Sequence, residues 1–318
     1  MRAKLVILLL LSVTLTAAED VQGLLKKLTG ENVDARIAAA KALGEIGAAA
    51  KPAVPALAAA VAEIWSYKKA NEEKVSDDET PFEEVQRIEQ HWNKLIDLRK
   101  SALAALQKLG PAGAEASCAL LAEIEEFGMA DTVEVHSKIA PDRIAELNEA
   151  LAAVACRRYE SAQATHFNIH ARYFEAPQLS AVVLYASPEE YEVDSKAFAE
   201  AFGEPGKIKP YNGYGFKMLF AQGEHAKGAG KRGKASFRVD GQLTNGHAII
   251  AYPAEYGKTG RVCYVISDAR ARFKKDLGAT TAAMVSAMTE YNPDSTWKKL
   301  EPERMDAPPR RVPEAPKK

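Results

Sequence analysis

The chain has 318 residues, of which 47% are hydrophobic and 27% charged, and its formal net charge at pH 7 is −1. This composition is typical of a globular protein, and the length favours about two domains at roughly 150 residues each. The near balance of 42 basic and 43 acidic residues excludes the strong positive charge that nucleic-acid-binding and membrane-surface proteins use, so we expect no nucleic-acid partner.

Residues 1–18 have the features of a secretory signal peptide. Two basic residues near the start precede an apolar run over 5–15, and the small residues at 16–18 offer a cleavage site. The run is shorter than the roughly 20 apolar residues that a bilayer-spanning helix needs. We therefore expect the segment to be removed and the protein to be periplasmic or secreted, without stable membrane insertion.

Residues 19–127 contain an internal repeat with a shift of 63 positions (97 minus 34). Each copy places apolar residues three and four apart on one helix face, which only a stacked neighbour can cover. We therefore predict two helical units stacked as a short α-solenoid. The matching pairs are Asp34 and Asp97, Arg36 and Arg99, Ala39 and Ala102, Leu43 and Leu106, Gly47 and Gly110, and Leu57 and Leu120.

These residues resemble the short bacterial HEAT repeats that are related to those of phycobilin lyases. The resemblance implies an α-solenoid that binds a protein partner. Asp34 and Arg36, with their counterparts Asp97 and Arg99, are interpreted as structural residues that form polar contacts between stacked helices.

The segment 66–90 is a charge-rich insertion between the two copies. Its acidic residues at 77–79 lack the ligand spacing and turn glycine of a calcium loop, so we predict a solvated loop. Thr80, Pro81 and Glu83 then predict a capping box with proline at the first position of a new helix.

A domain boundary is predicted between Gly128 and Pro141, followed by an α+β domain over 141–300. Its helical start gives way at residues 166–173 to alternating polar and apolar residues, which predict a half-buried strand. Further strands are predicted at 181–185, 214–221, 235–239, 249–252, 262–266 and 271–274, with helices at 195–202 and 280–288.

Asp240-Gly241 and Asn245-Gly246 predict two tight hairpins, which makes the sheet antiparallel. The fold class is therefore α plus α+β, with a short HEAT-type α-solenoid followed by an antiparallel β-meander domain and its packing helices. The proline-rich residues 301–318 predict a disordered tail.

Several blocks of the second domain resemble the C-terminal half of a secreted bacterial family that is known only as a domain of unknown function. The resemblance implies export and this fold, it supplies no activity, and the usual N-terminal half of the family is largely replaced here by the repeats. Residues 156–167 are also similar to the junction between helix and sheet in pilin-like secreted proteins. The blocks that carry the family resemblance are 210–223, 251–257, 275–278 and 291–297.

Motifs for cofactors and metals give no positive prediction. Residues 228–234 fit the letters of a phosphate-binding loop, but Ala235 replaces the hydroxyl that should bind magnesium and a strand follows, so we predict a flexible basic loop. His166 and His170 would share a metal ion only on a helix, since on the predicted strand they lie about 13 Å apart. We expect no cofactor and no metal.

The three cysteines are too few for a disulfide framework. Cys118 and Cys156 either form a disulfide, if their helices lie side by side, or remain small buried residues, and the sequence leaves both alternatives open. Cys263 falls in an alternating strand pattern and is predicted to be structural.

A set of polar and aromatic residues near predicted strand ends and turns is the candidate binding site. If the set converges, Glu255 could act as a general base or orient a ligand. Alternatively, 253–257 is a wide turn, and Lys275 and Asp276 cap the turn that follows them. The members of the set are Tyr211, Tyr214, Gln222, Glu255, Tyr256, Lys275 and Asp276.

The repeat, the signal peptide and the absence of standard zinc and serine-hydrolase motifs favour a non-catalytic role. The leading hypothesis is an exported cell-envelope protein that binds a protein partner through its repeats. The alternative is an extracellular enzyme or small-ligand-binding protein with a site in the C-terminal sheet.

Overall fold

The computed structural model describes residues 20–181, 184, 190–226, 234–269 and 271–300. The described residues divide into two compact units. The helical unit contains the residues up to Val154 together with 190–193, and the sheet unit contains those from Ala155 to Leu184 and from Asp194 onward. The division falls further along the chain than the boundary that we predicted between residues 128 and 141.

The helical unit is built from consecutive helices joined by short connections. Two of these connections are seven-residue 3₁₀ turns, Gly47–Ala53 and Gly110–Ala116. The last helix continues into the sheet unit. The helices are α1 (20–28), α2 (Val33–Ile46), α3 (Val54–Ser76), α4 (Phe82–Leu109), α5 (Ser117–Phe127), α6 (Ala130–Ile139) and α7 (Ile144–His170).

The internal repeat has matching backbone geometry in its two copies. Gly47 has φ 66° and ψ −139°, and Gly110 has φ 56° and ψ −138°. Residues with a Cβ enter this region with difficulty, so glycine is required at both positions. Each glycine ends one helix and starts the 3₁₀ turn that leads to the next, so each copy is a helix, a turn and a helix. The more specific HEAT assignment stays a prediction.

One apolar core joins the two copies, and Leu43, Leu57, Leu106 and Leu120 are fully buried in it. Close approach of α2 and α4 depends on Gly44, where an added Cβ would lie 3.0 Å from the Cα of Ala105. The segment Val33–Ser76 is long and apolar enough to cross a membrane by length and composition. The chain turns within it, however, at the 3₁₀ segment after Ile46, and its apolar faces belong to this core.

The charge-rich insertion is mostly helical. Helix α3 continues to Ser76, so the predicted loop is wrong over 66–76 and is restricted to 77–81, whereas the helix predicted after Thr80 is confirmed as α4 from Phe82. Lysine, glutamate and alanine are good helix formers, so a charged run is compatible with an exposed helix. The predicted capping box does not form either, because Pro81 itself is the N-cap and no side chain caps this end.

The sheet unit contains an antiparallel sheet with the order β1-β6-β7-β8-β9 and the two-stranded ribbons β2-β3 and β4-β5. Two short helices accompany these strands, α8 (Ser195–Glu200) and α9 (Thr281–Ala287). The strands are β1 (Tyr214–Leu219), β2 (Ala221–Gln222), β3 (Ala235–Ser236), β4 (Arg238–Val239), β5 (Gln242–Leu243), β6 (Ala248–Pro253), β7 (Val262–Ser267), β8 (Arg272–Asp276) and β9 (Lys298–Leu300).

One of the two predicted hairpins is confirmed. Asp240 and Gly241 both have positive φ, 50° and 80°, and join the paired strands β4 and β5. The prediction at Asn245-Gly246 was wrong, because β5 pairs with β4 whereas β6 pairs with β1 and β7. The side chain of Asn245 instead donates a hydrogen bond to the carbonyl of Ser236 at 2.9 Å.

The predicted strand over 166–173 was also wrong, since α7 continues to His170. An established helix propagates easily, and the chain leaves it only at Ala171, whose φ is 52°. Ile169, predicted to face a core, is 69% exposed. The predicted strand at 181–185 falls largely outside the described residues, as do the signal peptide, most of the basic loop and the tail.

All three cysteines are free thiols, so the disulfide alternative for Cys118 and Cys156 is not realised. Cys118 is exposed, whereas Cys156 and Cys263 are buried. Burial raises the pKa of Cys156 to about 12, so its thiol is protonated and inert at neutral pH.

Candidate functional site

The predicted polar and aromatic set occupies several separate places in the sheet unit. Tyr211 and Tyr214 flank a tight turn, and their backbones exchange hydrogen bonds of 2.8 and 3.0 Å. Tyr214 is buried, and its hydroxyl donates to the carbonyl of Val262 at 2.8 Å. Gln222 is buried on β2, where its backbone forms a bridge with Tyr291.

Glu255 lies in the exposed turn after β6. Its carboxylate forms an ion pair with Lys258 at 2.7 Å, and its backbone N–H donates to the hydroxyl of Thr259 at 3.1 Å. A catalytic base usually lies in a partly buried site among groups that adjust its basicity. This carboxylate is instead exposed to solvent and forms an ion pair with a lysine of the same turn. The position therefore corresponds to the wide turn that was the alternative interpretation.

Tyr256 and Asp276 form a contact of their own. The tyrosine hydroxyl donates to the carboxylate at 3.1 Å, and this hydrogen bond raises the pKa of Tyr256. The other carboxylate oxygen of Asp276 accepts the N–H of Gly278 at 2.8 Å. Asp276 therefore caps the turn after β8, as the alternative interpretation predicted.

Lys275 takes part in a different group of contacts, because consecutive side chains of a strand point to opposite faces. Its ammonium group donates to the hydroxyl of Thr296 at 2.5 Å and lies 5.9 Å from the ring centre of Trp297. Trp297 also lines an open cleft of about 280 Å³, together with Val265 and Glu290. Small-molecule pockets are usually about 300–1,000 Å³ and more enclosed, so this cleft is a weak candidate for a ligand site.

In the helical unit, the arginines of the repeat each join a helix to its neighbours. Arg36 binds the carboxylate of Glu63 with two N–H groups and donates a third hydrogen bond to the carbonyl of Leu28 at 2.9 Å. Asp34 forms an exposed ion pair with Lys94 at 2.6 Å. These contacts connect α1, α2, α3 and α4.

Arg99, at the equivalent position of the second copy, has different partners. It donates to the two carboxylate oxygens of Asp131 at 2.6 and 2.8 Å and to Glu123 at 2.8 Å, which connects α4, α5 and α6. Asp97 is exposed, and its backbone carbonyl accepts the hydroxyl of Ser101. The sequence identified the arginine but not the carboxylates that bind it.

Arg99 and Glu123 are each only 4% exposed and belong to a larger buried network. The hydroxyl of Thr132 and the indole N–H of Trp65 donate to Glu123 at 2.9 and 2.8 Å. Burial alone would raise the pKa of Asp131, but the hydrogen bonds and charge of Arg99 outweigh it and lower that pKa. Arg99 and Asp131 therefore form a charged pair. The sequence signal that could have revealed the network is a glutamate, Glu123, at helical spacing from the apolar Leu120.

The C-terminal part of α3 and the N-terminal part of α4 form a helical hairpin over residues 66–94. Within this range only the side chain of Ile88 is buried. The two helices contact each other through the rings of Tyr67 and His91, 4.6 Å apart, and through an ion pair of 2.8 Å between Lys74 and Glu84. Helices of this length extend roughly 15–20 Å at 1.5 Å per residue.

The hairpin tip, residues 72–84, combines negative charge with exposed apolar side chains. It contains seven acidic residues and one basic residue, Lys74. Phe82 is 73% exposed and Val75 is 46% exposed. Val75 lies in the segment that we predicted to be a solvated loop and Phe82 in the helix that we predicted after it, and neither was predicted to form an exposed apolar surface.

His166 and His170 lie on α7, so the argument that excluded a metal pair does not hold. Their ring centres are 4.3 Å apart, in place of the roughly 13 Å expected on a strand. Within the described ranges, no group of three or more His, Cys, Asp or Glu side chains could hold a metal ion.

A family model described as a protein of unknown function (DUF2950) matches residues 38–300. The match includes most of the helical unit as well as the sheet unit. It therefore extends beyond the blocks over 210–297 that suggested the resemblance, and it shows that most of the repeat region lies within the family domain. Comparisons with curated proteins and with solved structures found no match.

Proposed function

The chain belongs to the DUF2950 family, whose function is unknown, and from that premise we propose that it is an exported cell-envelope protein that binds a protein partner through its helical unit. The observation that carries this proposal is the hairpin tip, where Phe82 and Val75 are exposed among seven acidic residues. We propose the tip as the principal contact surface.

The chemistry of the tip indicates the partner. Burying an exposed phenylalanine contributes about 1.5–3 kcal/mol, and aromatic residues are frequent anchors of protein interfaces. Seven carboxylates favour a positively charged surface around that anchor and speed its approach. The partner is therefore a protein with an apolar pocket surrounded by lysine or arginine.

Contacts within the helical unit hold the hairpin in place, so that few of its groups need to be ordered when a partner binds. The ion pair between Lys74 and Glu84 joins its two helices near the tip, and the buried network of Arg99 and Glu123 holds α4 against α5. A preorganised surface loses less conformational entropy when it binds. We interpret the two repeat copies, including the proposed HEAT-type stacking, as the base that positions the hairpin.

Export is supported by the amino-terminal sequence. The apolar segment over 5–15 with its basic flank is compatible with a signal sequence, and placement in the envelope follows as part of the proposal. The alternative function, an enzyme or ligand-binding protein, has less support, because Glu255, Tyr211 and Lys275 have different contact partners.

The experiment uses the full chain with a photocrosslinking residue at position 86, next to the tip and exposed. We expect one envelope protein to be crosslinked and identified, and its yield to fall at least about tenfold when Phe82→Ser removes the anchor. Met284→Ser removes a residue of the sheet unit that is 43% exposed, and it should leave the yield unchanged.

Equal crosslinking by the wild-type chain and Phe82→Ser, or loss of crosslinking with Met284→Ser as well, would contradict the proposed surface. A partner without a basic surface would contradict the proposed chemistry. Fractionation of cells expressing the chain tests the location separately, and recovery of the uncleaved protein in the cytoplasm would exclude export.

A further inference from the structure

We propose that His166 and His170 form a two-imidazole site for a divalent ion such as Cu²⁺, Ni²⁺ or Zn²⁺, whose other coordination positions are filled by water or a second ligand. Both residues lie in the last part of α7, four positions apart, so they share one face of the helix. This site is independent of the proposed protein-binding surface.

The distance between the two rings fits a shared ion. Their centres are 4.3 Å apart with an angle of 44° between the ring planes. Two imidazoles bound to one ion, each with a metal–nitrogen distance of about 2.0–2.1 Å, have ring centres roughly 4.5 Å apart when the angle at the ion is 90° and roughly 5.2 Å apart when it is tetrahedral. The observed distance between the ring centres is close to the lower of these values.

His166 is held in place by packing. Its ring meets the buried ring of Phe174 edge to face, with centres 5.5 Å apart. Its Nε2 atom is buried and has no hydrogen-bond partner among the residues that the structure describes. A buried nitrogen without a partner costs free energy, and a bond to a metal ion would offset that cost.

His170 provides access from solvent, because it is exposed in the final turn of α7. The helix ends immediately after it at Ala171. The C-terminal end of a helix carries partial negative charge, which favours a cation. Arg172 opposes this effect, since its positive charge acts on the neighbouring imidazole of His166.

The two imidazoles also restrict which ions suit the site. Imidazole nitrogens favour the ions named above over Mg²⁺ or Ca²⁺, which prefer oxygen.

The test is a titration of the tag-free full chain with Cu²⁺, followed by calorimetry and by electron paramagnetic resonance, which detects coordinated imidazole nitrogens. We expect one ion per chain and a spectrum with two nitrogens. His170→Ala should weaken binding at least about tenfold and reduce the spectrum to one nitrogen. His225→Ala is the control, since it removes another exposed histidine of the sheet unit.

A second variant keeps the number of histidines but changes their spacing. Asn168→His combined with His170→Ala places the two imidazoles two positions apart, on different sides of the helix. We expect this variant to bind Cu²⁺ as weakly as His170→Ala. The proposal would be overturned if the double variant bound Cu²⁺ as tightly as the wild-type chain, or if His170→Ala had the affinity and spectrum of the wild-type chain.

Discussion

The two units bury their polar groups in different ways. The helical unit joins its helices through charged side chains, of which Arg99, Glu123 and Asp131 are the clearest case. The sheet unit joins its segments through neutral tyrosine hydroxyls that donate to backbone carbonyls. These pairs are Tyr214 with Val262 at 2.8 Å, Tyr252 with Gly203 at 3.0 Å and Tyr291 with Ala271 at 3.1 Å.

The difference follows from the backbone. A helix satisfies its N–H and C=O groups internally, so polar contacts between helices depend mainly on side chains. Loops and strand ends in the sheet unit leave carbonyl groups that need a donor, and a tyrosine supplies one while its ring fills the core. Glycines make room for these rings, since a Cβ at Gly260 would lie 2.4 Å from the hydroxyl oxygen of Tyr214.

The largest predicted effect is in the helical unit. Arg99→Ala leaves Glu123 buried without its cation and should lower the free energy of unfolding by about 3–5 kcal/mol. Arg36→Ala, at the equivalent repeat position, should cost much less, because Arg36 and Glu63 are 14% and 34% exposed. Hydrogen exchange at individual amides of the helical unit measures the loss of stability in each variant. Equal losses of stability in Arg99→Ala and Arg36→Ala would contradict the prediction that the more deeply buried pair contributes more.

The second prediction concerns acid and the sheet unit. His247 is buried between the rings of Tyr159 and Tyr173, and burial lowers its pKa to about 3. As the pH falls, the unfolded chain, with a histidine pKa of about 6.5, binds a proton at this residue before the folded chain does. The free energy of unfolding therefore decreases as the pH drops from about 6.5 towards 3. At pH 4 the loss from this residue should be about 3 kcal/mol.

His247→Gln is the matched variant for this prediction, since it keeps a polar side chain and removes the titration. Unfolding by urea, followed at several pH values between 4 and 7, should show a smaller dependence on pH in the variant than in the wild-type chain. Identical slopes would mean that protonation of His247 does not oppose folding.

The smallest predicted effect tests the tyrosine contacts. Tyr214→Phe keeps the ring but leaves the carbonyl of Val262 without this donor, which should cost about 1 kcal/mol. Tyr256→Phe is the control, because its hydroxyl binds the exposed carboxylate of Asp276 and should contribute little. If Tyr214→Phe lowers the free energy of unfolding no more than the control does, the hydrogen bond of the Tyr214 hydroxyl does not stabilise the fold.

Local sequence patterns predicted the elements whose signals lie within a few residues. The tight turn at Asp240-Gly241, the strand at 262–266 and the helical repeat are of this kind. Where the same residues fit two patterns, the longer element prevailed. Alternation over 166–173 suggested a strand, but a helix already established from Ile144 propagates at low cost to His170.

The candidate sites show where such reasoning stops. Both proposals depend on residues whose surroundings only the structure shows: Phe82 is exposed at the tip of a helical hairpin, and His166 and His170 share a helix face rather than lying on a strand. The set around Glu255 was defined by residue type alone, and strand alternation and local turns then separated its members.

The amino-acid sequence by itself determined the repeat, the glycines that end its helices and the positions of the longer strands, because these features depend on local backbone preference and on which side chains avoid water. Only the tertiary structure decided which carboxylates bind Arg99 and which carbonyls accept the tyrosine hydroxyls. Those partners lie far apart in the chain and are chosen by packing, and no local pattern records that choice.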